Sequence, residues 1–271
     1  MRSIVHLSDI HFGRVNAVVI PSLIETITRI NPDLVAVSGD LTQRARSAQF
    51  VQARDFLAQL PKPQIVVPGN HDVPLHNVVA RFAQPLRKYR RYITDDLEPV
   101  FQDGEVIVVG LNSARSLPFH GGGRLSEAQV TRAAARLAAA PPDAVRIVVT
   151  HHPFDVPQGH GDRDLIGQSA MAMSQLAAVG ADLFLAGHLH VSHVGRTAER
   201  YQIAGHSALV VQAGTLSTRE RGEANSFNVL RLARPDISVD RYTWDDERRD
   251  FSVSSTSRFR HTPTGWAVAE P

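Results

Sequence analysis

The chain has 271 residues, 43% of them hydrophobic, enough to bury a substantial core within one α/β domain. Its 29 Lys and Arg against 27 Asp and Glu leave a formal charge of +2, too small an excess to argue for a nucleic-acid or membrane partner. With no cysteine, disulfides and thiolate ligands are excluded, so any metal site must draw on imidazole, carboxylate and amide groups.

The opening "MRSIVHLSDI" enters a strand at once, without the basic stretch and long apolar run of a signal peptide. No apolar run approaches the roughly 20 residues that cross a bilayer, so a soluble, cytoplasmic protein is expected. Residues 18–30 carry a helical pattern with Pro21 near its start, and Asn31-Pro32 ends it. "DLVAVS" follows as a strand, then a helix over 47–60 with Phe50, Ala53, Leu57 and Leu60 on one stripe. "PQIVVP", "EVIVVGL", "VRIVVT", "DLFLAG" and "ALVVQAG" are further short strands, apolar on both faces as covered strands are. Among them, Ser126 and Gln129 make a capping box ahead of a helix bearing Val130, Ala133 and Leu137, and another helix closes at Gly180. The alternation predicts a layered α/β fold. After about residue 225, "FNVLRLA" and "DISVDRYTW" read as strands with no helix between them. From about 245 the chain is polar and weakly patterned, and a C-terminal extension or edge strand is expected on a single domain spanning 1–271.

Five of the apolar strands end in polar groups. The first gives Asp9 and His11 in "HLSDIHFG", the second Asp40 in "AVSGDLT", and the third Asn70, His71 and Asp72 in "VVPGNHD". The fifth gives His151 and His152 in "VVTHHPF", and the sixth His188 and His190 in "LFLAGHLH". In a layered α/β sheet the carboxyl ends of neighbouring strands converge on one crevice. An Asp-x-His or His-x-His pair at a strand tip has period two, so both side chains are expected to lean one way. Gly39, Gly69 and Gly187 are expected to let the backbone turn sharply beside them. Asp and His with one Asn, and no sulfur, suit Mn, Fe or Zn. The set is too large for one ion and predicts two sharing a bridge, about 3.5–4 Å apart. Each fragment alone would be an ordinary cap or turn; five of them in order, each behind an apolar strand, point to a site.

On "SDIHFG", "GDLT", "GNHD", "THHPF" and "GHLH" the chain resembles the calcineurin-like metallophosphoesterase superfamily, over about residues 1–215. "GGGRLSEAQVTRAAARL" makes it most similar to the class III cyclic-nucleotide phosphodiesterases and related glycerophosphodiesterases. The resemblance implies a four-layer α-β-β-α sandwich with a dinuclear metal site at the carboxyl ends of the strands. Asp9, His11 and His190 would hold one metal, Asn70, His151 and His188 the other, and Asp40 would bridge them. His71 would ligate neither ion; it would be the catalytic group and, with Asn70, face the substrate. His152 is then a packing group and Asp72 a stabiliser of its turn. Ser/Thr protein phosphatases of the superfamily carry a further Asp after the "GD" motif, which orients the catalytic histidine. Here "GDLTQR" places Thr42 there, which argues against that activity and leaves the partner of His71 open.

The expected reaction is hydrolysis of a small phosphodiester, a cyclic nucleotide before a glycerophosphodiester, by a hydroxide shared between the ions. His71 would protonate the leaving alkoxide. Dimers among the relatives extend the expectation to a homodimer. Three other readings arise from the residues. "HGGG" at 120–123 resembles a lipase oxyanion-hole motif, but "GHSAL" at 205–209 lacks the second glycine of a nucleophile elbow, so a loop at the substrate mouth is expected instead. "RKYRRY" at 87–92 interleaves four cations with Tyr89 and Tyr92, as a nuclease patch would, yet no second basic run accompanies it and an exposed helix face is expected. A binding module that keeps the scaffold without catalysis is opposed by the full ligand set. His6 is expected in the core, and His120, His160 and His206 in loops. Asn112, behind the fourth strand, could reach the site.

Overall fold

A computed structural model describes the chain except residues 76–77, 117–122, 202, 204–205, 220 and 270–271, and describes 78–80 by backbone alone. The "HGGG" loop and His120 therefore lie largely outside the described residues.

The first third of the chain winds β1 (Arg2–Leu7), α1 (Ile20–Ile30), β2 (Leu34–Val37), α2 (Ser47–Leu57) and β3 (Gln64–Val66), with the three strands parallel. After α3 (Val78–Ala83) and α4 (Arg87–Tyr92) it crosses to a second sheet. This contains β4 (Val100–Gln102), β5 (Val106–Gly110), β6 (Val145–Val149), β7 (Leu183–Ala186), β8 (His193–Arg196) and β9 (Leu209–Gln212), with α5 (Glu127–Ala138) and α6 (Ser169–Ala178) between strands. The chain returns to the first sheet as an antiparallel meander of β10 (Ser226–Ala233), β11 (Asp236–Asp245), β12 (Asp250–Thr262) and β13 (Gly265–Val268). The sheet orders are β13-β12-β11-β10-β1-β2-β3 and β4-β5-β6-β7-β9-β8.

Strand alternation builds the layers. Ile4, Leu34 and Ile65 of one sheet meet Val108, Ile147 and Leu185 of the other in a core between the sheets. Their neighbours Val5, Val35 and Val37 face outward onto Leu23, Ile27 and Phe50 of α1 and α2. On the far side Ile107, Val148 and Phe184 pack under Val130, Leu137 and Leu176 of α5 and α6. The result is the four-layer α-β-β-α sandwich, in which a strand covered on both faces has no reason to alternate polar and apolar.

The local signals act as their chemistry requires. Asn31 takes a left-handed φ of 48° and its N–H bonds back to Ile27 and Thr28, closing α1. The Ser126 hydroxyl accepts the Gln129 N–H while Gln129 Oε1 accepts the Ser126 N–H, the reciprocal box that opens α5. Gly180, at φ 74°, follows α6. The helix over 47–60 is shorter than its stripe: α2 ends at Leu57, and Leu60 is buried from the following turn.

One reading is corrected and one alternative is chosen. In "RKYRRY", Tyr89 is fully buried and donates its hydroxyl to the Val66 carbonyl at 2.9 Å, while Tyr92 stacks on Phe50. Both rings are tied into packing and unavailable to a base, so α4 is a structural helix. Of the two alternatives for the stretch from 245, an extension or an edge strand, it takes the strand. β12 pairs with β11 along its length, buries Phe251 and Phe259, and leads into β13, whose Trp266 is 2% exposed in the core between the sheets. Among the described residues no helix is long and apolar enough to cross a membrane.

Candidate metal centre

The ends of β1, β2 and β3 from one sheet and of β6 and β7 from the other open onto a single crevice. The polar groups that gather there stand beyond the strands, not within them. β1 stops at Leu7 and β7 at Ala186, and Asp9, His11, Asp40, His188 and His190 all have left-handed φ between 52° and 75°. This corrects the expected cause of their convergence: left-handed residues at alternate positions of tight loops aim the pairs inward, not the period of an extended strand. Such φ values at non-glycine residues cost on the order of 1–3 kcal/mol each and persist only where the surroundings over-determine them. Here main-chain bonds do so, with Asp9 N–H to Gly39, His11 N–H to Asp40, and Leu216 N–H to Asp9. The glycines divide likewise. Gly39, at φ 99°, supplies a turn. Gly69 is extended, and it and Gly187 provide space: a Cβ at 69 would overlap the Asp40 carboxylate, and one at 187 would overlap Ser8 and Asp9.

Asp9 Oδ2 accepts the His188 N–H at 2.8 Å, which leaves Oδ1 3.2 Å from His190 Nε2 and 3.5 Å from His11 Nε2. Asp40 is divided in the same manner. Its Oδ1 accepts the His71 N–H at 2.8 Å, and its Oδ2 lies 3.6 Å from His11 Nε2 and 3.4 Å from His151 Nε2. Asn70 Oδ1 sits 3.0 Å from His151 Nε2 and 3.1 Å from His188 Nδ1. Two imidazoles have their tautomers set from outside. His151 Nδ1 donates to the Ser38 carbonyl at 2.8 Å and His190 Nδ1 to the Arg219 carbonyl at 2.9 Å, so in each the Nε2 lone pair turns inward.

Most of these groups turn lone pairs toward one another. Asp9 Oδ1 and Asp40 Oδ2 are buried without a hydrogen-bond partner, and the Nε2 atoms of His11 and His190 are 3.1 Å apart. Buried, unpaired oxygens of this kind are costly unless positive charge lies between them. A proton can serve: burial lowers His151, but Asp40 and Asp9 outweigh it and raise its pKa to about 9. Burial likewise raises Asp9, yet the His190 and His11 imidazoles hold its carboxyl well below the usual range. His188 is pressed down to about 4 by burial and by His151, which keeps it neutral. Asp9, His11 and His190 converge within ligand distance of one another, as do Asp9, Asp40 and His151. Hard and borderline donors around orphaned carboxylate oxygens fit divalent cations.

His71 stands at the rim. Its Nδ1 donates to the main-chain carbonyl of Gln43 at 2.9 Å, which answers what orients it, and its Nε2 accepts from Arg219 Nη1 at 3.1 Å. Burial lowers its pKa, Asp40 counteracts, and His11 and Arg219 add to the lowering. Asp72 keeps to its turn, accepting from the N–H groups of Leu41, Thr42 and Gly69 and from the Thr42 hydroxyl. Burial and Asp40 raise it to about 6. His152 turns away to Ser113 Oγ at 2.9 Å, although its ring also lies 4.5 Å from that of His188. Asn112 Oδ1 is occupied by the Ala114 N–H, His6 Nε2 meets Ser38 Oγ within the core, and His160 faces Asp164.

Two participants have no counterpart in the sequence reading. Gln43 acts through a carbonyl, which no side-chain motif reveals. Arg219 follows the apolar β9 and Gly214 in "AGTLSTRERG", the same strand–glycine–polar signal that marked the other loops, and could have been found by it.

The family profile of the calcineurin-like phosphoesterases matches residues 2–192. A glycerophosphodiester phosphodiesterase of Enterobacter lignolyticus is 27% identical over 172 residues, 59% of this chain and 60% of that protein, so the match spans under two thirds of the relative's length. A probable cyclic nucleotide phosphodiesterase of Synechococcus is 41% identical over 44 residues, 16% of this chain and 17% of that one. In structure the chain is similar to a purple acid phosphatase from yellow lupin, with TM-score 0.64 at 13% identity over 95% of this chain and 53% of that one. It is also similar to Vps29 of Entamoeba histolytica, with TM-score 0.51 at 13% identity over 96% and 99%. With the profile covering residues 2–192, more than half of its length, the chain belongs to the calcineurin-like phosphoesterase family.

Proposed function

We propose that the chain is a metal-dependent phosphodiesterase acting on a small phosphodiester, with a cyclic nucleotide as the favoured substrate. One observation carries this reading: Asp9 Oδ1 and Asp40 Oδ2 are buried, unpaired, and ringed by imidazole nitrogens. On this reading Asp9, His11 and His190 would hold one ion, Asn70, His151 and His188 the other, and Asp40 would serve both. Such ions, when bound, supply Lewis acidity and an activated water. The remaining work belongs to the chain's own groups. His71, fixed by the Gln43 carbonyl with its proton on Nδ1, would take a second proton on Nε2, the atom that Arg219 Nη1 meets at 3.1 Å, and deliver it to the leaving alkoxide. Arg219 beside Nε2 would orient a phosphoryl oxygen, and His188, neutral by burial, keeps its lone pairs. A glycerophosphodiester is the second reading, favoured by the longer of the two curated matches.

The test joins metal analysis of the purified protein to a substrate panel on the metal-reconstituted chain. The panel is 3′,5′- and 2′,3′-cyclic nucleotides, glycerophosphodiesters, bis-p-nitrophenyl phosphate and single-stranded DNA. Preference for the cyclic compounds, abolished by chelation, is the expected result. Exclusive cutting of DNA, or activity indifferent to chelation, would overturn it.

A further inference from the structure

Beside His71 the crevice opens into a recess of about 420 Å³ walled by Arg14, Gln43, Arg44, Arg46 and Arg219. The arginines arrive from three loops, those after β1, β2 and β9. Among the described residues none of these four guanidinium groups lies within ion-pair distance of a carboxylate, whereas Arg200, Arg234 and Arg241 elsewhere each have one.

The loops are built to hold that arrangement. Gln49, itself buried, accepts the Arg44 and Arg46 N–H groups on Oε1 at 3.0 and 3.3 Å. Between them Ala45 is left-handed, its N–H bound by the Thr42 hydroxyl and its carbonyl by Lys88 Nζ. The Arg14 carbonyl accepts both the N–H and the hydroxyl of Thr218, which ties Arg14 to the loop of Arg219. The side chains that bond the Arg44–Arg46 turn directly, Gln49, Thr42 and Lys88, are neutral or cationic, and the Asp72 carboxylate behind Thr42 is taken up by N–H groups and the Thr42 hydroxyl. An acidic residue at position 49 would have fixed the same turn and also offset its charge. Like charges gathered this way repel until an anion sits among them. Guanidinium forks match phosphate oxygens in pairs, and a phosphomonoester presents two charges and three such oxygens.

We propose that this recess binds a second phosphate of the substrate, distinct from the phosphodiester that reacts at Asp9 and Asp40. The preferred substrate is then a small phosphodiester that also carries a phosphomonoester group. The inference rests on the phosphodiesterase reading above. A single compact anion suits a recess of this volume: Lys88 of α4 is spent on the Ala45 carbonyl, and the exposed Arg87, Arg90 and Arg91 of that helix are not among its walls.

The test uses the full-length, metal-reconstituted chain. Turnover of thymidine 5′-(p-nitrophenyl phosphate) is compared with that of its 3′-phosphorylated form, and calorimetry compares thymidine 3′,5′-bisphosphate with thymidine 5′-monophosphate. One to two charge-assisted bonds predict about a tenfold or greater preference for the phosphorylated member of each pair. In the Arg44→Gln/Arg46→Gln variant both ratios should fall to within about twofold of unity. Arg14→Gln, on a separate loop, repeats the comparison should the double variant fold poorly. Equal values for each pair in the unaltered protein would overturn the inference while leaving hydrolysis of the plain ester intact. Failure to cut either ester would instead count against the phosphodiesterase reading, and the two dissociation constants would decide the recess by themselves. A decathymidylate held tenfold more tightly than the bisphosphate would make the recess part of a nucleic-acid track and overturn the inference as well.

Discussion

At Asp40 one carboxylate does two jobs with its two oxygens. Oδ1 fixes the turn through the His71 N–H, and Oδ2 faces His11 and His151. Asp40→Asn preserves the first and removes the charge from the second. Removing one partner of a buried charge pair costs about 3–5 kcal/mol, so metal affinity should fall a hundredfold or more, readable by titration of the metal-free protein. His71 is the contrasting case, because it contacts Gln43 and Arg219 at the rim. His71→Asn should retain its metal content while kcat drops by about 10²–10⁴, the range for loss of a general acid. Loss of metal in that variant would place His71 among the ligands instead. Asp9, His11 and the other donors were readable by residue type and by their position behind apolar strands. The left-handed φ values that converge them were not, since even Asp and His, which adopt that region more readily than most side chains, do so in a minority of cases, and contacts from neighbouring loops hold them there.

At the scale of elements, the strands covered on both faces announced themselves by uninterrupted Val, Ile and Leu. Others did not. β4 exposes Val100 and Gln102, β8 runs "HVGR" with no fully buried residue, and most of β12 shows Ser, Thr and Arg to solvent. Each is identified by the strand it pairs with, not by its own pattern. The C-terminal pair nonetheless matters to stability. Trp266 fills the core between the sheets and donates its indole N–H to Asp182 Oδ1 at 2.8 Å, just ahead of β7. Trp266→Ala should cost about 3–5 kcal/mol, measured as a shift of the urea midpoint with the slope preserved. A cost below about 1 kcal/mol would return this segment to the status of a tail.

For the molecule as a whole, the four layers bury not only the candidate metal centre but also a histidine outside it. His6 is wholly enclosed between the sheets with Nε2 on Ser38 Oγ at 2.9 Å, and burial lowers its pKa to about 3, Asp9 opposing. The folded form stays neutral where the unfolded chain takes up a proton. Stability from this residue is therefore intact above about pH 6.5 and is lost as pH falls from there towards about 3. His6→Gln should flatten that part of the stability profile by an amount on the order of a few kcal/mol, seen by comparing denaturant midpoints of the two proteins across the window. Parallel profiles would show that His6 contributes nothing to acid sensitivity.

Residue chemistry and local period were enough for the layered α/β class, the main helices and strands, and the ligand types at five strand ends, because those signals lie within a few consecutive positions. The division of the strands between two sheets depends on pairings far apart in the chain, such as β10 returning to β1 and β9 entering beside β7. The crevice belongs to that division, since Asp9 and Asp40 come from one sheet and His151, His188 and His190 from the other. The Gln43 carbonyl, the Arg219 side chain and the cluster of arginines that meet no carboxylate among the described residues came into view only with the fold, because each acquires its role from what is packed beside it and not from what precedes it in the chain.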